Sequence, residues 1–572
     1  MKQPKTQTLL TPWADDIPET PWDIYPRPQL KRDSYLSLNG KWEFSIEDGA
    51  PTTILVPFPP ESVLSGVGII PQNNARLHYK KHFTLPDDWN KGRVILHFGA
   101  VDQSATIYLN GEEVTAHHGG YDAFSRDITA HLQKENVLEV EVLDDLDAHV
   151  LPWGKQRYDR GGMWYTPVSG IWQSVWLENV PENYIRYLWV TPHLTHAVLH
   201  LDGASDGTIT LHEEEGDSTF PIENGRGVIT PKTVHLWSPE HPYLYQFTVS
   251  CGEDTVESYF ALRTLSTKVV NGAPRLCLND QPYFFHGVLD QGYFSDGIYT
   301  PASPEAYTQD ILAMKEMGFN TLRKHIKIEP EHFYYECDRL GMIVFQDMVN
   351  NGDYSFLRDT ALPTAGVQKI SDKHLHKDPA TRFAFIESMG KTVRQLYSHP
   401  CICYWTIFNE GWGQFNAQEM FETLYKWDES RFIDSTSGWF RCSDSHVESL
   451  HVYFKKIRIP RSKLPISLSE FGGYSYKIPA HSFNLTDTYG YRYFAEKEQF
   501  SAAVDALYRE QVIPAIRKGL CTTIYTQLSD VEDETNGLLT YDRRVTKVDP
   551  ASMHALADAL YAAFDEATRE RD

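Results

Sequence analysis

The run from Cys401 to Phe408, Cys-Ile-Cys-Tyr-Trp-Thr-Ile-Phe, is apolar almost throughout, opens after His399-Pro400 and breaks off at Asn409-Glu410-Gly411-Trp412-Gly413. Eight residues rich in β-branched and aromatic types, without alternation, suit a strand buried on both faces, as in a parallel sheet covered by helices. Glu410 is then placed where such a strand emerges, at the C-terminal mouth of the sheet, which is where barrel folds gather their functional groups. A second ending of the same kind follows at Leu464-Pro465-Ile466-Ser467-Leu468-Ser469-Glu470-Phe471-Gly472-Gly473.

After Asn271-Gly272 the pattern alternates strand and helix. Candidate strands are Tyr283–Gly287, Thr321–Lys324, Met342–Asp347, Ile402–Asn409, Phe432–Ser437, Leu450–Tyr453, Ile466–Glu470 and Cys521–Gln527. Eight is the number of a (β/α)8 barrel, a TIM barrel. Helical periodicity lies between them: Tyr307, Ile311 and Met314 fall at i, i+4, i+7, and Leu556, Leu560 and Phe564 at i, i+4, i+8 in a closing helix, after which no further domain is expected. Glu410 thus ends strand four and Glu470 strand seven. Two carboxylates on two strand ends suit glycoside hydrolysis, in which one protonates the leaving oxygen while the other attacks or activates water.

The N-terminal half reads as all-β. Residues 1–25 are polar and proline-punctuated, an arm expected to lie on the next domain. Asn39-Gly40 and Asn110-Gly111 are hairpin signals, because both positions tolerate positive φ. Strands recur at Val94–Phe98, Val137–Val142 and Ile171–Leu177, so 26–180 is expected to be a jelly-roll β-sandwich. A second set, Val198–Leu201, Thr208–Leu211, Leu244–Val249 and Val256–Leu262, makes 181–268 an immunoglobulin-like β-sandwich, and 269–572 is left to the barrel.

The 572 residues carry 53 basic and 77 acidic side chains, a net charge of −24, which disfavours nucleic acid and anionic membranes as partners. No apolar run reaches the ~20 residues of a membrane helix, and the polar N-terminus has no secretion signal. With seven cysteines, of which Cys401 and Cys403 alternate within a buried strand, neither disulfides nor a zinc site is indicated, and a cytoplasmic protein is expected.

The pattern W-x-x-x-N-E at Trp405 to Glu410, with S-E-F-G-G at Ser469 to Gly473, resembles glycoside hydrolase family 2, the family of β-galactosidases, β-glucuronidases and β-mannosidases. Leu38-Asn39-Gly40-Lys41-Trp42, Val56-Pro57-Phe58-Pro59, His118-Gly119-Gly120-Tyr121 and Ser169-Gly170-Ile171-Trp172-Gln173 resemble that family's sugar-binding domain, and Leu236-Trp237-Ser238-Pro239 the end of its immunoglobulin-like domain. The resemblance implies that Glu410 is the acid/base, Glu470 the nucleophile and Asn409 the holder of the sugar 2-hydroxyl. It also aligns Arg323 with the family's strand-two Arg and Tyr453 with the strand-six Tyr that touches the nucleophile, and it leaves homo-oligomerisation open.

Further candidates come from the remaining strand ends: His286, His325, Asp347 and Gln527, with an Arg323–Asp347 salt bridge that could orient Glu470. Two departures from the family bear on specificity. After strand three, Asp347-Met348-Val349-Asn350-Asn351-Gly352 lacks the acidic, His-containing magnesium site of β-galactosidases, so neither metal nor other cofactor is expected. The place of the uronate-gripping N-x-K motif of β-glucuronidases is Glu534-Thr535-Asn536-Gly537, where a negative Glu534 would repel a uronate. The acidic stretch Asp530 to Asn536 lacks EF-hand spacing and is expected to be a solvated loop. These readings give a retaining exo-β-glycosidase acting on a carbohydrate, a β-galactoside first. The alternatives are a glucuronide, mannoside or α-arabinopyranoside, or a non-catalytic carbohydrate-binding protein on the same scaffold.

Overall fold

Alternation of inward apolar and outward polar side chains builds the first domain. Along Asn136–Leu143, Leu138, Val140 and Val142 are buried while Glu139 and Glu141 lie nearer solvent. The computed structural model describes residues 5–89, 92–367, 371–441 and 444–569. In it a six-stranded and a four-stranded antiparallel sheet enclose a core that includes Trp42, Phe44, Leu96, Ile107 and Leu177.

Of the two Asn-Gly signals, Asn110-Gly111 is a hairpin: both residues have positive φ, and Ser104–Leu109 pairs with Glu112–His118. Asn39-Gly40 is not. Leu36–Ser37 pairs with Trp176 and Leu177 in one sheet, whereas Gly40–Ile46 pairs in the other, so the chain changes sheets there. Asn39 is buried at the crossing, donating to Pro21 O at 3.0 Å and Ser174 Oγ at 3.1 Å and accepting from Val175 N.

In the second domain one continuous ladder joins seven strands, in the order Tyr187–Pro192, Ala197–Asp202, Arg226–Ile229, Ser218–Glu223, Gly207–His212, Tyr245–Cys251 and Asp254–Phe260. Its core includes Leu199, Ile209, Leu211, Phe247 and Val256.

The eight barrel strands are Phe285–Asp290, Thr321–Lys324, Ile343–Asp347, Ile402–Asn409, Phe432–Ser437, Glu448–Val452, Ile466–Gly472 and Leu520–Thr526, numbered one to eight below. Neighbours pair in parallel from five back to one, then through eight and seven to six. Strands five and six share no ladder among the described residues. Side chains bridge them instead: Ser449 Oγ donates to Asp434 Oδ2 at 2.6 Å, and Ser437 Oγ lies 3.0 Å from His451 Nε2. Helices Glu305–Glu316, Glu331–Leu340, Pro379–Leu396 and Ala417–Trp427 follow strands one to four, Lys497–Leu507 follows seven and Pro550–Thr568 follows eight. Tyr307, Ile311, Met314, Leu556, Leu560 and Phe564 are all buried, as their spacing requires. The described residues between strands five and six and between six and seven hold no helix, so the expected strand–helix alternation lapses there.

Three expectations need correction or refinement. The N-terminal arm lies largely on the barrel domain: Gln7 N donates to Phe483 O, Thr11 to Asp296 Oδ2 at 2.6–2.7 Å through both its amide and its hydroxyl, and Trp22 Nε1 to Pro301 O. The stretch Asp530–Asn536 is buried, not solvated, because each acid finds a partner. Asp530 pairs with Lys547 at 2.6 Å, Glu532 and Asp533 with Arg160, and Glu534 with Tyr165. Residues 144–169, counted within the first sandwich, contain no strand or helix and leave it as a strap across the barrel mouth. Trp153 N and Nε1 donate to Asn350 O and Gly352 O at 3.0 and 3.1 Å, and Thr166 N donates to Glu532 Oε1 at 2.8 Å.

Cys401 and Cys403 are free and fully buried, in keeping with small core residues; Cys442 lies outside the described residues. Among the described residues no helix is long and apolar enough to cross a membrane.

Candidate active site

Strand four is buried along its whole length and delivers Asn409 and Glu410 to the mouth. Glu410 takes a left-handed backbone conformation, φ +49°, as does Gly411 at +76°, so the chain turns sharply as soon as it leaves the sheet. That conformation is strained for a non-glycine residue, and such residues concentrate at functional sites. The motif's tryptophan belongs to the scaffold, where Trp405 Nε1 donates to Asp428 Oδ2 at 2.8 Å.

Strand seven delivers Glu470 through an irregularity. Its register against strand eight shifts between Leu468 and Phe471, and against strand six the register shifts between the pairs Ser449–Ser467 and His451–Glu470. A bulge re-aims side chains that strict alternation would send to opposite faces. Ser469 and Glu470, though consecutive, both join the interior network. Ser469 Oγ lies 2.7 Å from Ser449 Oγ, and Glu470 meets Arg323, Tyr453 and His451.

Arg323 is the hub. Nε and Nη2 form a bidentate pair with Asp347, both at 3.0 Å; Nη1 donates to Glu470 Oε1 at 2.9 Å and Ser469 O at 3.0 Å; Nη2 also donates to Asn409 Oδ1 at 2.8 Å. One planar guanidinium thus fixes the ends of strands two, three, four and seven, which its forked donors allow and a lysine could not match. The expected Arg323–Asp347 bridge is therefore present, and it does aim Arg323 at Glu470. His325 Nδ1 lies 2.9 Å from Asp347 Oδ2. Burial would raise the Asp347 carboxyl, but the Arg323 charge and the contact with His325 outweigh it and hold Asp347 below its ordinary range. Burial lowers His325 itself to about 4.

The two glutamates occupy different surroundings. Glu470 has both oxygens engaged, Oε1 by Arg323 and Oε2 by the Tyr453 hydroxyl. Burial would raise its pKa, yet the nearby His451 and Arg323 charges and the Tyr453 hydrogen bond hold it well below the usual carboxylate range. The side chain of Glu410 is 14% exposed against 6% for Glu470, and its one hydrogen-bond contact among the described residues is with His451 Nδ1, at 2.8 Å from Oε1. The same Nδ1 stands 3.6 Å from Glu470 Oε2. One oxygen of each glutamate and a nitrogen of His451 lie within 4.8 Å of one another.

Asn409, Arg323, Asp347, Tyr453 and His325 are therefore gathered with Glu410 and Glu470. Gln527 borders the group, accepting from Gln291 and donating to Asn536 Oδ1 at 2.9 Å and Glu534 Oε2 at 3.1 Å. His286 is elsewhere. It is wholly buried, bonds Thr523 Oγ1 at 3.0 Å and packs on Phe319, Tyr508 and Tyr561 between sheet and helices. The expected strand end at His286 is wrong because Gly287 does not terminate the strand. Strand one continues to Asp290, and Gly287 is needed within it, since a Cβ there would lie 2.8 Å from the Thr321 backbone carbonyl oxygen.

Sequence reasoning reaches the strand-six end His451-Val452-Tyr453 but chooses Tyr453 from it, and the structure adds His451. The available signal is a histidine facing two acidic strand ends. The strap adds a Trp164–Trp412 contact, 5.2 Å between ring centroids, beside the mouth.

The segment after strand three holds no free carboxylate pair: both oxygens of Asp347 are taken, and Asn350 is buried under the strap. Activity should therefore persist unchanged after dialysis against EDTA. A loss of turnover that magnesium restores would show that hard ligands assemble elsewhere.

Residues 12–181 match the family model described as "Glycosyl hydrolases family 2, sugar binding domain", 183–263 "Glycosyl hydrolases family 2" and 270–460 "Glycosyl hydrolases family 2, TIM barrel domain". A β-galactosidase of Thermoanaerobacter pseudethanolicus is 26% identical over 440 residues, 70% of this chain and 54% of that protein. A β-glucuronidase of Felis catus is 23% identical over 372 residues, 58% of this chain and 54% of its own length. The chain spans about half the length of these curated relatives. Among solved structures, a β-D-glucuronidase from Dictyoglomus thermophilum aligns with a TM-score of 0.71 at 17% identity, covering 94% of this chain and 98% of that one. A β-galacturonidase from Eisenbergiella tayi bound to galacturonate aligns at 0.68 and 18%, covering 94% and 99%. With three consecutive matches spanning the two β domains and much of the barrel, this chain belongs to glycoside hydrolase family 2.

Proposed function

We propose that the protein is a retaining exo-β-glycosidase whose preferred substrate carries a neutral terminal β-linked hexose, galactose first. The observation that carries this reading is the unequal glutamate pair: a locked, ionised Glu470 and a more open Glu410, with one oxygen of each within 4.8 Å, the short spacing of a retaining pair. In the first step a Glu470 oxygen attacks the anomeric carbon while Glu410 gives its proton to the departing oxygen. The aglycone leaves, and a glycosyl ester remains on Glu470. Glu410, now ionised, takes a proton from water, whose oxygen displaces Glu470 and releases the sugar with its original configuration. Arg323 and Tyr453 keep Glu470 ionised and fixed in direction.

Two further features support this choice. The strap and the Trp164–Trp412 contact flank one side of the mouth, which suits the end of a saccharide chain better than its middle. Glu534, buried beside the site, disfavours a sugar carboxylate there. A uronate reading has its own support, since the aligned structures above are named for uronides.

The test is a panel of aryl glycosides: β-galactoside, β-glucuronide, β-mannoside, β-glucoside and α-arabinopyranoside, with the first-formed sugar followed by NMR. Fastest hydrolysis of the galactoside, with retention, is expected. A preferred glucuronide would reverse the sugar assignment, inversion would reject the mechanism, and inertness on every substrate would leave a carbohydrate-binding protein.

A further inference from the structure

Lys155, in the strap, has a largely buried side chain whose ammonium has no direct partner among the described residues. It is 6% exposed, and its ammonium makes no hydrogen bond or ion pair among the described residues. It rests instead 5.3 Å from the ring centroid of Trp412 and 5.6 Å from that of Tyr165. Ring faces attract a cation, but they accept no ordinary hydrogen bond from it, so its N–H groups remain open on the solvent-reached side of the mouth. The other buried lysines among the described residues are all satisfied. Lys324 bonds Asp290 and Glu329 at 2.6 and 2.8 Å; Lys327 bonds two carbonyl oxygens at 2.6 and 2.8 Å and pairs with Glu329; Lys547 bonds Asp530 and Thr535 O. Lys155 is the exception, and it is the one at the mouth.

The strap holds it there by contacts on both sides. Trp153 is tied to Asn350 and Gly352, Thr166 to Glu532, and Tyr165 to Glu534. Glu534 mirrors the pattern. Its Oε2 receives the Tyr165 hydroxyl and Gln527 Nε2, while Oε1 receives no hydrogen bond among the described residues. A donor lacking acceptors and an acceptor lacking donors therefore share one wall of the site. The two act on each other at a distance, the Lys155 charge opposing the rise that burial imposes on the Glu534 carboxyl.

We propose that Lys155 and Glu534 grip hydroxyls of the glycone remote from its anomeric carbon, Lys155 donating to one and Glu534 Oε1 accepting from another, so that a residue of the first domain helps select the sugar. This rests on the glycosidase reading above. The anomeric end is claimed by Glu410 and Glu470, on strands four and seven, with Asn409 beside them. Glu534 follows strand eight and Lys155 stands over Trp412, which leaves the C3–C6 side of the ring to them. A donor beside a carboxylate complements a neutral diol. A sugar carboxylate would satisfy Lys155 but would meet Glu534 as a like charge.

The test compares wild type, Lys155→Met and Glu534→Gln on the best aryl glycoside of the panel and on its 3-deoxy, 4-deoxy and 6-deoxy analogues, with melting temperatures as a check on folding. On the parent substrate Lys155→Met should lower kcat/KM on the order of 10- to 100-fold, the size of one charge-assisted hydrogen bond. On one deoxy analogue, the one lacking the gripped hydroxyl, most of that loss should vanish. Glu534→Gln should show its own loss and its own insensitive position. Equal losses on the parent and every analogue would mean a structural role, and no loss, or a loss confined to a uronide, would likewise overturn the proposal. Should Lys155→Met fail to fold, Lys155→Gln is read in the same way. Inertness of the wild type on every substrate is a different outcome: it rejects the glycosidase reading itself.

Discussion

Replacing Glu470 with alanine should reduce kcat/KM on every aryl glycoside by on the order of 10⁴-fold or more, because without this carboxylate no covalent intermediate can form. The protein should remain folded, since Arg323 keeps its bidentate pair with Asp347 and is not left as an isolated buried charge. Added azide should restore part of the activity by entering the space vacated by the side chain. It would then attack the substrate directly, with one inversion, to give an α-glycosyl azide. Recovery of a β-azide, or turnover close to wild type, would reverse or reject the assignment of Glu470.

Glu410→Ala should fail differently. An activated leaving group such as dinitrophenolate needs little protonation, so the glycosyl-enzyme still forms, but without a base to deprotonate water it accumulates. The expected trace is a burst followed by slow turnover. With unactivated leaving groups the loss should reach roughly 10²- to 10⁴-fold, the range typical of a positioned acid. Azide needs no base, so it should accelerate turnover and give the β-azide after two inversions. Losing the contact between Glu410 Oε1 and His451 Nδ1 should leave His451 able to reach Glu470 Oε2, now 3.6 Å away, without disturbing the bonds of Glu470 to Arg323 and Tyr453. A burst-free trace, or an α-azide, would show that the two roles are exchanged.

Much of this site can be read from the sequence because strands four and seven are simple signals. An apolar run that stops at a carboxylate and glycines states both where a strand lies and what it delivers. Arg323 and Asp347 are legible for a related reason, since two opposite charges at neighbouring parallel strand ends have few other partners. His286 misleads because a glycine inside a strand looks like its end. His451 and Tyr453 share a face by simple alternation, but the bulge in strand seven, which brings the consecutive Ser469 and Glu470 onto one network, is unreadable in the sequence, so His451 cannot be seen to meet Glu470. The strap is hidden more thoroughly. Its barrel partners are separated from it by nearly two hundred residues or more, so nothing local distinguishes it from an ordinary connection between strands. Its density of aromatic and basic residues within a strandless stretch, from Trp153 to Tyr165, is the one available sign.

The strap also alters what counts as a part. Because residues 144–169 leave one domain to finish the wall of another, the barrel excised from this chain would be an unfinished object, and the sandwich without the barrel would carry a tongue with nowhere to rest. Insertions, deletions and shuffled boundaries that respect each domain separately would still break the joint. Substitutions in the strap, by contrast, could remodel the cavity while leaving every barrel residue untouched. A chimera that exchanges either part must therefore carry both or neither.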